Sequence, residues 1–288
     1  MSCSRRLVAN MHDLTGVEGP ARCSLWAEAP QWVPECTVWS ARLSLDVAPP
    51  GTAGFDFCLV LGVRSALYCN SAPGRRALET VFDLDSDAVP ARFRNPGAAN
   101  EALLRAVGVR RGRRPDVIDM TAGLGVDALL MASAGCSVRL IEQAPALVIM
   151  LLRGLRRWQN TPALRSVASR LQLQHGDARS LLPGMSPADV VYLDPMYRLP
   201  GRRAAPAGAM QLLHALHGDA AASGSAAELL TLALAHAREQ VVVKRPRKAP
   251  PVLDKPLPHH HIVASSTRFD VYHAATLRAA SARSGPIS

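Results

Sequence analysis

The chain has 288 residues, 48% of them hydrophobic, and a formal charge of +10 at pH 7. That length accommodates one large domain or two smaller ones, with ample apolar residues for a core. No run of about 18 uncharged apolar residues occurs, so no transmembrane span is expected. The start, MSCSRRLVANMHDLTG, lacks an apolar stretch of signal-peptide length, and a cytoplasmic protein is expected.

The basic residues are 30 arginines and 3 lysines. They cluster at residues 110–114 (RRGRR), 153–157, 198–203 and 244–248 (KRPRK), a pattern that favours a polyanionic partner such as nucleic acid. Any single cluster, taken alone, is better read as a solvated charged face. The six cysteines include no CxxC pair and fit no zinc spacing, so they are expected to be free thiols, mostly buried. Residues 259–261 (HHH) read as a loop, because consecutive side chains cannot all face one ion. No metal site is expected.

Residues 1–95 differ from the rest in their Pro and Gly punctuation, and hold five of the six cysteines. Residues 55–61 (FDFCLVL), 66–69 and 78–84 read as short strands, with a turn over 70–74. A small β-rich N-terminal domain is expected there. Residues 1–40 give no clear pattern, and Trp26, Trp32 and Trp39 read as local core. A second domain is expected over 96–276, followed by a disordered tail over 277–288.

That second domain opens with a helix over 100–107, ended by Gly108. A strand over 117–119, a helix over 127–134 and a strand over 137–141 follow, making one βαβ unit. A helix over 145–158 has Pro145 near its first turn. Residues 167–174 end in LQLQ, a short strand. Residues 189–194 (DVVYLD) and 240–245 (QVVVKR) have the continuous apolar character of buried parallel strands. Residues 207–216 and 226–239 read as helices, and 268–272 (RFDVY) as a last strand. The expected fold class is α/β, a doubly wound and mostly parallel sheet.

The βαβ unit carries the first chemistry. Gly123-Leu-Gly125-Val126-Asp127-Ala128 fits a dinucleotide fingerprint, and Glu142 stands near the offset of a ribose-binding acid. Asp127 argues against NAD. A carboxylate in the first helical turn occupies the positive end of the helix dipole, where a pyrophosphate would sit. Asp119 at the strand end adds a second negative group. S-adenosylmethionine (SAM), with its sulfonium and α-amine, suits such a site better. The plainer reading is that Asp119 and Asp127 only cap turn and helix. Asp177, after the third strand, suits an adenine amine or a simple turn equally well.

Asp194-Pro195-Met196-Tyr197 ends a central strand and faces the same crevice. Methyl transfer to an exocyclic base amine needs acceptors for the amine hydrogens and a flat wall against the base. Asp194 offers a carboxylate, Pro195 a second acceptor in its carbonyl and a ring that keeps the chain from turning helical, and Tyr197 an aromatic face. The alternative is a strand-to-loop turn with a buried aromatic.

Taken together and in order, DVIDMTAGLGVDALLMASAGCSVRLIE, VVYLDPMY, VVVKRP and TRFDVY resemble the bacterial 16S rRNA guanine-N2 methyltransferase family. The resemblance covers roughly residues 96–276. It implies a class I SAM-dependent methyltransferase fold, SAM as donor, and 16S rRNA or the small ribosomal subunit as partner. By motif position it implies cofactor contacts at Val126, Asp127, Glu142, Gln143, Asp177, Ala178 and Asp194, beside Asp119, Gly123 and Gly125 of the turn. The chain departs from the family where FGGGRGE is usual, having FRNPGAANE at 93–101, and where serines follow the third strand, having Asp177 and Ala178. Rival readings are an amino-methyltransferase of another RNA or of DNA, an NAD-dependent oxidoreductase, and a non-catalytic RNA-binding assembly factor.

Overall fold

The computed structural model describes residues 21–70, 76–79, 98–195, 216, 224–274 and 276. The chain divides into two compact units. One comprises 1–84, 144–150 and 198–221; the other comprises 85–143, 151–197 and 222–288.

The first unit contains a four-stranded sheet in the order β1-β2-β3-β4, with strands Cys23–Ala27 (β1), Phe57–Leu61 (β2), Ala66–Cys69 (β3) and Arg76–Glu79 (β4). β1 and β2 pair in parallel, which requires a crossover connection. That connection carries a helix, Val33–Leu43 (α1), which begins inside the stretch that gave no pattern. Pro34 sits in the first turn of α1, where a missing N–H costs nothing. Cys36 and Trp39 are its buried face, and Trp39 Nε1 donates to Glu35 Oε1 at 3.1 Å. Of the three tryptophans expected in the core, Trp39 is buried, Trp32 is half-buried and Trp26 is exposed. The unit is therefore a sheet with a helix, not β structure alone. The described cysteines, 23, 36, 58, 69 and 136, form no disulfide, and all but Cys23 are buried.

The second unit is built on a seven-stranded sheet. Its strands are Asp116–Asp119 (β5), Ser137–Glu142 (β6), Leu171–His175 (β7), Val190–Leu193 (β8), Gln240–Pro246 (β9), His260–Val263 (β10) and Thr267–His273 (β11). The order is β10-β11-β9-β8-β5-β6-β7, with β11 antiparallel to both neighbours and the β9-to-β7 run parallel. The helices are Ala98–Ala106 (α2), Val126–Ser133 (α3), Pro145–Asn160 (α4, divided between the two units at residue 150), Pro162–Ala168 (α5), Ala178–Leu181 (α6) and Gly224–His236 (α7). α3 contacts β6, β7, α2 and α5, while α7 packs on β8 and β9 with α6 beside it. The expected α/β doubly wound, mostly parallel sheet is thus the observed one. Ile118, Val191, Val241 and Val243 of the strands close a core with Leu230 and Ala233 of α7, all essentially inaccessible.

Two local expectations are corrected. Val167 and Ala168, read as the start of a strand, end the helix α5, and the strand begins at Leu171. β-branched Val167 suggested a strand, but its burial with Leu164 on one helical face decided otherwise. His260 and His261, read as loop, open strand β10 at the sheet edge, where exposed polar side chains are tolerated. The helix expected over 207–216 lies largely outside the described residues, as do the tail and the 198–203 cluster. No helix among the described residues is long and apolar enough to cross a membrane.

The strand order reverses between β5 and β8, and in such sheets ligands bind beyond the carboxyl ends at that point. The opposite ends are tied by charge. Asp116 N–H donates to Asp189 Oδ2 at 3.0 Å, while Arg139 pairs with Asp116 at 2.8 Å and Arg238 with Asp189 at 2.9 Å. The 110–114 cluster also lies at this end, immediately before β5, and Arg113 is held by Glu239 at 2.6 Å.

At the β10–β11 edge, Asp270 is fully buried between Arg268 Nε and His261 Nδ1, each at 2.7 Å. Removing one partner of a buried ion pair leaves an uncompensated charge. Asp270→Ala is therefore expected to lower stability by about 3–5 kcal/mol, read as a drop in the urea midpoint with unchanged slope.

Candidate active site

The site grows from the ends of β5, β6, β8 and β9. β5 closes on Asp119, only 1% exposed, whose Oδ1 accepts the Thr121 N–H at 3.0 Å. The chain then turns through Gly123 and Gly125, at φ +54° and +69°, left-handed values that favour glycine. A Cβ built on Gly123 would meet no atom nearer than Thr121 O at 3.9 Å, so the space over the turn is open. β6 closes on Glu142, 3% exposed, whose Oε2 accepts the Gly123 N–H at 2.8 Å. That bond fixes the height of the glycine turn against the neighbouring strand.

β8 delivers the third wall. The Asp194 N–H donates to Thr121 Oγ1 at 2.7 Å, binding the start of Asp194-Pro195 directly to the glycine-turn loop. The Tyr192 hydroxyl donates to Asp127 Oδ2 at 2.7 Å. Gly125 is the N-cap of α3 and no side chain caps it, so Asp127 is not a helix cap. It is instead part of a charged cluster. Lys244 Nζ, from β9, lies 2.7 Å from Asp127 Oδ2 and 3.0 Å from Asp194 Oδ2.

Electrostatics follow from this crowding. Burial, with the negative charges of Asp127, Asp194 and Glu142, pushes the Asp119 carboxyl up to about 8, against the Thr121 N–H that favours its ionised form. Burial also raises Asp194, Lys244 opposes that, and Asp127 adds to it. For Lys244, burial disfavours the ammonium, but Asp194 and Asp127 outweigh burial and hold it above the ordinary lysine range. Tyr192 is kept a neutral donor by burial and by the same carboxylates.

The structure thus brings together Asp119, Gly123, Gly125, Asp127, Glu142, Asp194 and the buried Pro195. Val126 is half-buried at the start of α3, and Gln143 is exposed just after Glu142. Gly176 N–H donates to Glu142 O at 2.9 Å, which lays the 176–178 loop beside the end of β6. Asp177 caps α6 through the Arg179 N–H at 2.9 Å, and the Arg179 guanidinium holds its carboxyl below the usual range. Its carboxylate is therefore engaged within its own turn, while Ala178 is buried. Tyr197 lies outside the described residues.

Lys244, Tyr192 and Thr121 were missed as site residues. The signal for Lys244 was present: a lysine directly after the apolar VVV run continues the same buried strand, unlike Arg247 and Lys248 beyond its end. Arg245 is 2% exposed, with Nη2 on Pro250 O at 2.6 Å, so only Arg247 and Lys248 of that cluster are exposed cations. Among the described residues, no group of three or more His, Cys, Asp or Glu side chains is placed to hold a metal ion.

The donor set fits SAM. Four carboxyl groups, of which Asp119 holds a proton, share the strand ends with the one ammonium of Lys244, an acid-rich field suited to a cationic amine and sulfonium and hostile to a pyrophosphate. Bare glycine backbone offers close approach beside it. Comparison with known proteins agrees. Residues 55–274 match the family described as "Putative SAM-dependent methyltransferase". Proteins named ribosomal RNA small subunit methyltransferase J are similar to the chain. That of Dechloromonas aromatica is 37% identical over 83% of this chain and 97% of its own length, and that of Pseudomonas fluorescens Pf0-1 is 34% identical over 91% and 100%. A crystal structure of a SAM-dependent methyltransferase from Neisseria gonorrhoeae superposes with a TM-score of 0.66 at 29% identity, covering 87% of this chain and 96% of that one. The chain belongs to this family of SAM-dependent methyltransferases.

Proposed function

We propose that the protein methylates the exocyclic N2 of a guanine in 16S rRNA of the small ribosomal subunit, in the cytoplasm. One observation carries the reading. The Asp194-Pro195 strand end is hydrogen-bonded to the glycine-turn loop, so an acceptor for an amine stands beside the donor site. The rRNA target is supported by the names of the relatives, which cover almost their whole length with this chain.

When bound, SAM supplies a methyl carbon whose bond to sulfur breaks with the electron pair staying on sulfur. Glu142 and the glycine turn hold the ribose side, and Asp127 with Asp194 provides the negative field for the amine and sulfonium, while Asp119 stands beneath them as a protonated carboxyl. Asp194 Oδ1 and the Pro195 carbonyl accept the hydrogens of the target amine and aim its lone pair. After transfer, the amine proton passes to Asp194 and on to water. Tyr197, three residues on, supplies the stacking wall in this reading. Guanine N2 faces the minor groove of a duplex, so the target is read from an irregular region or flipped out. Among the described residues, Arg247 and Lys248, beyond the carboxyl end of β9, are exposed cations able to meet phosphates.

The direct test is to map guanine N2-methylation in 16S rRNA from cells with and without the protein. An unchanged map would remove the target while leaving the donor chemistry standing. Asp194→Asn places an amide where the target amine needs only acceptors. Turnover is expected to fall about 10²-fold or more, with a smaller change in SAM affinity, as single-turnover transfer and calorimetry would show. Wild-type turnover in this variant would make Asp194-Pro195 a structural turn.

Asp119 gives a pH signature. Its folded pKa of about 8 exceeds the unfolded value of about 3.9. The fold therefore gains from its proton below about 3.9 and loses that contribution as pH rises through 8. Asp119→Asn, which keeps the Thr121 contact without the charge, is expected to raise the melting temperature. The gain should be larger near pH 9 than near pH 5. Melting curves at both pH values check this, and a gain independent of pH would contradict it.

A further inference from the structure

Lys244 stands where three elements meet. It comes from β9, touches Asp127 of α3 at 2.7 Å and Asp194 beyond β8 at 3.0 Å, and shares Asp127 Oδ2 with the Tyr192 hydroxyl. The ammonium and the two carboxylates are each only partly accessible, at 25%, 22% and 34% of their side-chain area, so solvent screens them weakly. Both of its contacts to Asp194 and Asp127 are on Oδ2 atoms. Among the described residues, Asp194 Oδ1 accepts no hydrogen bond.

We propose that Lys244 is the positioning residue of the transfer step: it clamps Asp194 by one oxygen and so leaves the other oxygen as acceptor for the target amine. This rests on the reading of Asp194 given above. Among the described residues, the groups facing Asp194 are Asp119 from the end of β5, Asp127 from α3, Tyr192 from β8 and Lys244 from β9. Of these only Lys244 is cationic. Without it, burial and Asp127 both favour the protonated carboxyl, which presents an O–H to an amine that has its own hydrogens to donate. Transfer forms the N–C bond as the C–S bond breaks, sulfur keeps the pair, and the amine proton must then go to a base. A protonated Asp194 cannot take it. An ionised one, held by Lys244, can, and water carries the proton away.

The experiment compares wild type with Lys244→Met, Lys244→Gln and Lys244→Arg by two readouts. The first needs no substrate: the carboxyl carbon resonance of Asp194, assigned with Asp194→Asn, is titrated in the free protein. Its midpoint is expected to rise by about one unit or more in the Met and Gln variants. Lys244→Arg should return it towards wild type. The second is single-turnover methyl transfer to unmodified 16S rRNA against pH. The neutral variants are expected to lose about tenfold or more near pH 6.5 and to recover most of it near pH 9, because alkali ionises Asp194 without the lysine. An unmoved Asp194 midpoint with an equal loss at every pH would overturn the proposal, and so would failure of both neutral variants to fold, which would make Lys244 a core residue. Failure of the underlying reading looks different: Asp194→Asn would then transfer at the wild-type rate, whatever the titration in the Lys244 variants shows.

Discussion

Convergence of acidic side chains at one edge of a parallel sheet is the constraint that the rest of the site answers. Asp119, Asp127, Glu142 and Asp194 all reach the region where strand order reverses. Two like charges 4 Å apart repel by about 4 kcal/mol at an effective dielectric of 20. The fold relieves this in three ways. Asp119 takes up a proton, Glu142 and Asp119 accept backbone N–H groups, and Lys244 bridges the remaining pair. The residual negative field is the property a cationic methyl donor needs, so relief is deliberately incomplete in physical terms: full neutralisation would remove the attraction.

Much of this was legible in the sequence because the signals were local. β5, α3 and β6 follow one another within 27 residues, and their apolar periods, the glycine turn and the closing acids lie in a single stretch. Buried parallel strands show as unbroken apolar runs, so VVYL and VVV placed β8 and β9. Asp119, Asp127, Glu142 and Asp194 were found because each ends a strand or starts a helix, positions that chain order alone reveals.

What escaped depended on pairing across the chain. Lys244 lies 117 residues from Asp127, and only the sheet order brings β9 beside β8 and so to the site. In sequence it belonged to a basic run, where its neighbours Arg247 and Lys248 are indeed exposed. The cluster at 110–114 carried the same compositional signal yet lies at the amino end of β5, away from the crevice. Asp177 could be read two ways from sequence, and Arg179, two residues on, engages its carboxylate in the structure. β10 escaped because an edge strand has no obligation to be apolar, and α1 because two prolines and a tryptophan disguised a helix start.

The hydrogen bond from Asp194 N–H to Thr121 Oγ1 joins the ends of two strands that are already paired, β5 and β8. Adjacent strands in any sheet lie about 4.8 Å apart. Groups mounted on those two ends therefore inherit a fixed pitch from main-chain pairing. The sheet acts as a ruler: the offset between donor and acceptor chemistry is graduated in strand spacings and is set when the backbone zips together, before either substrate arrives.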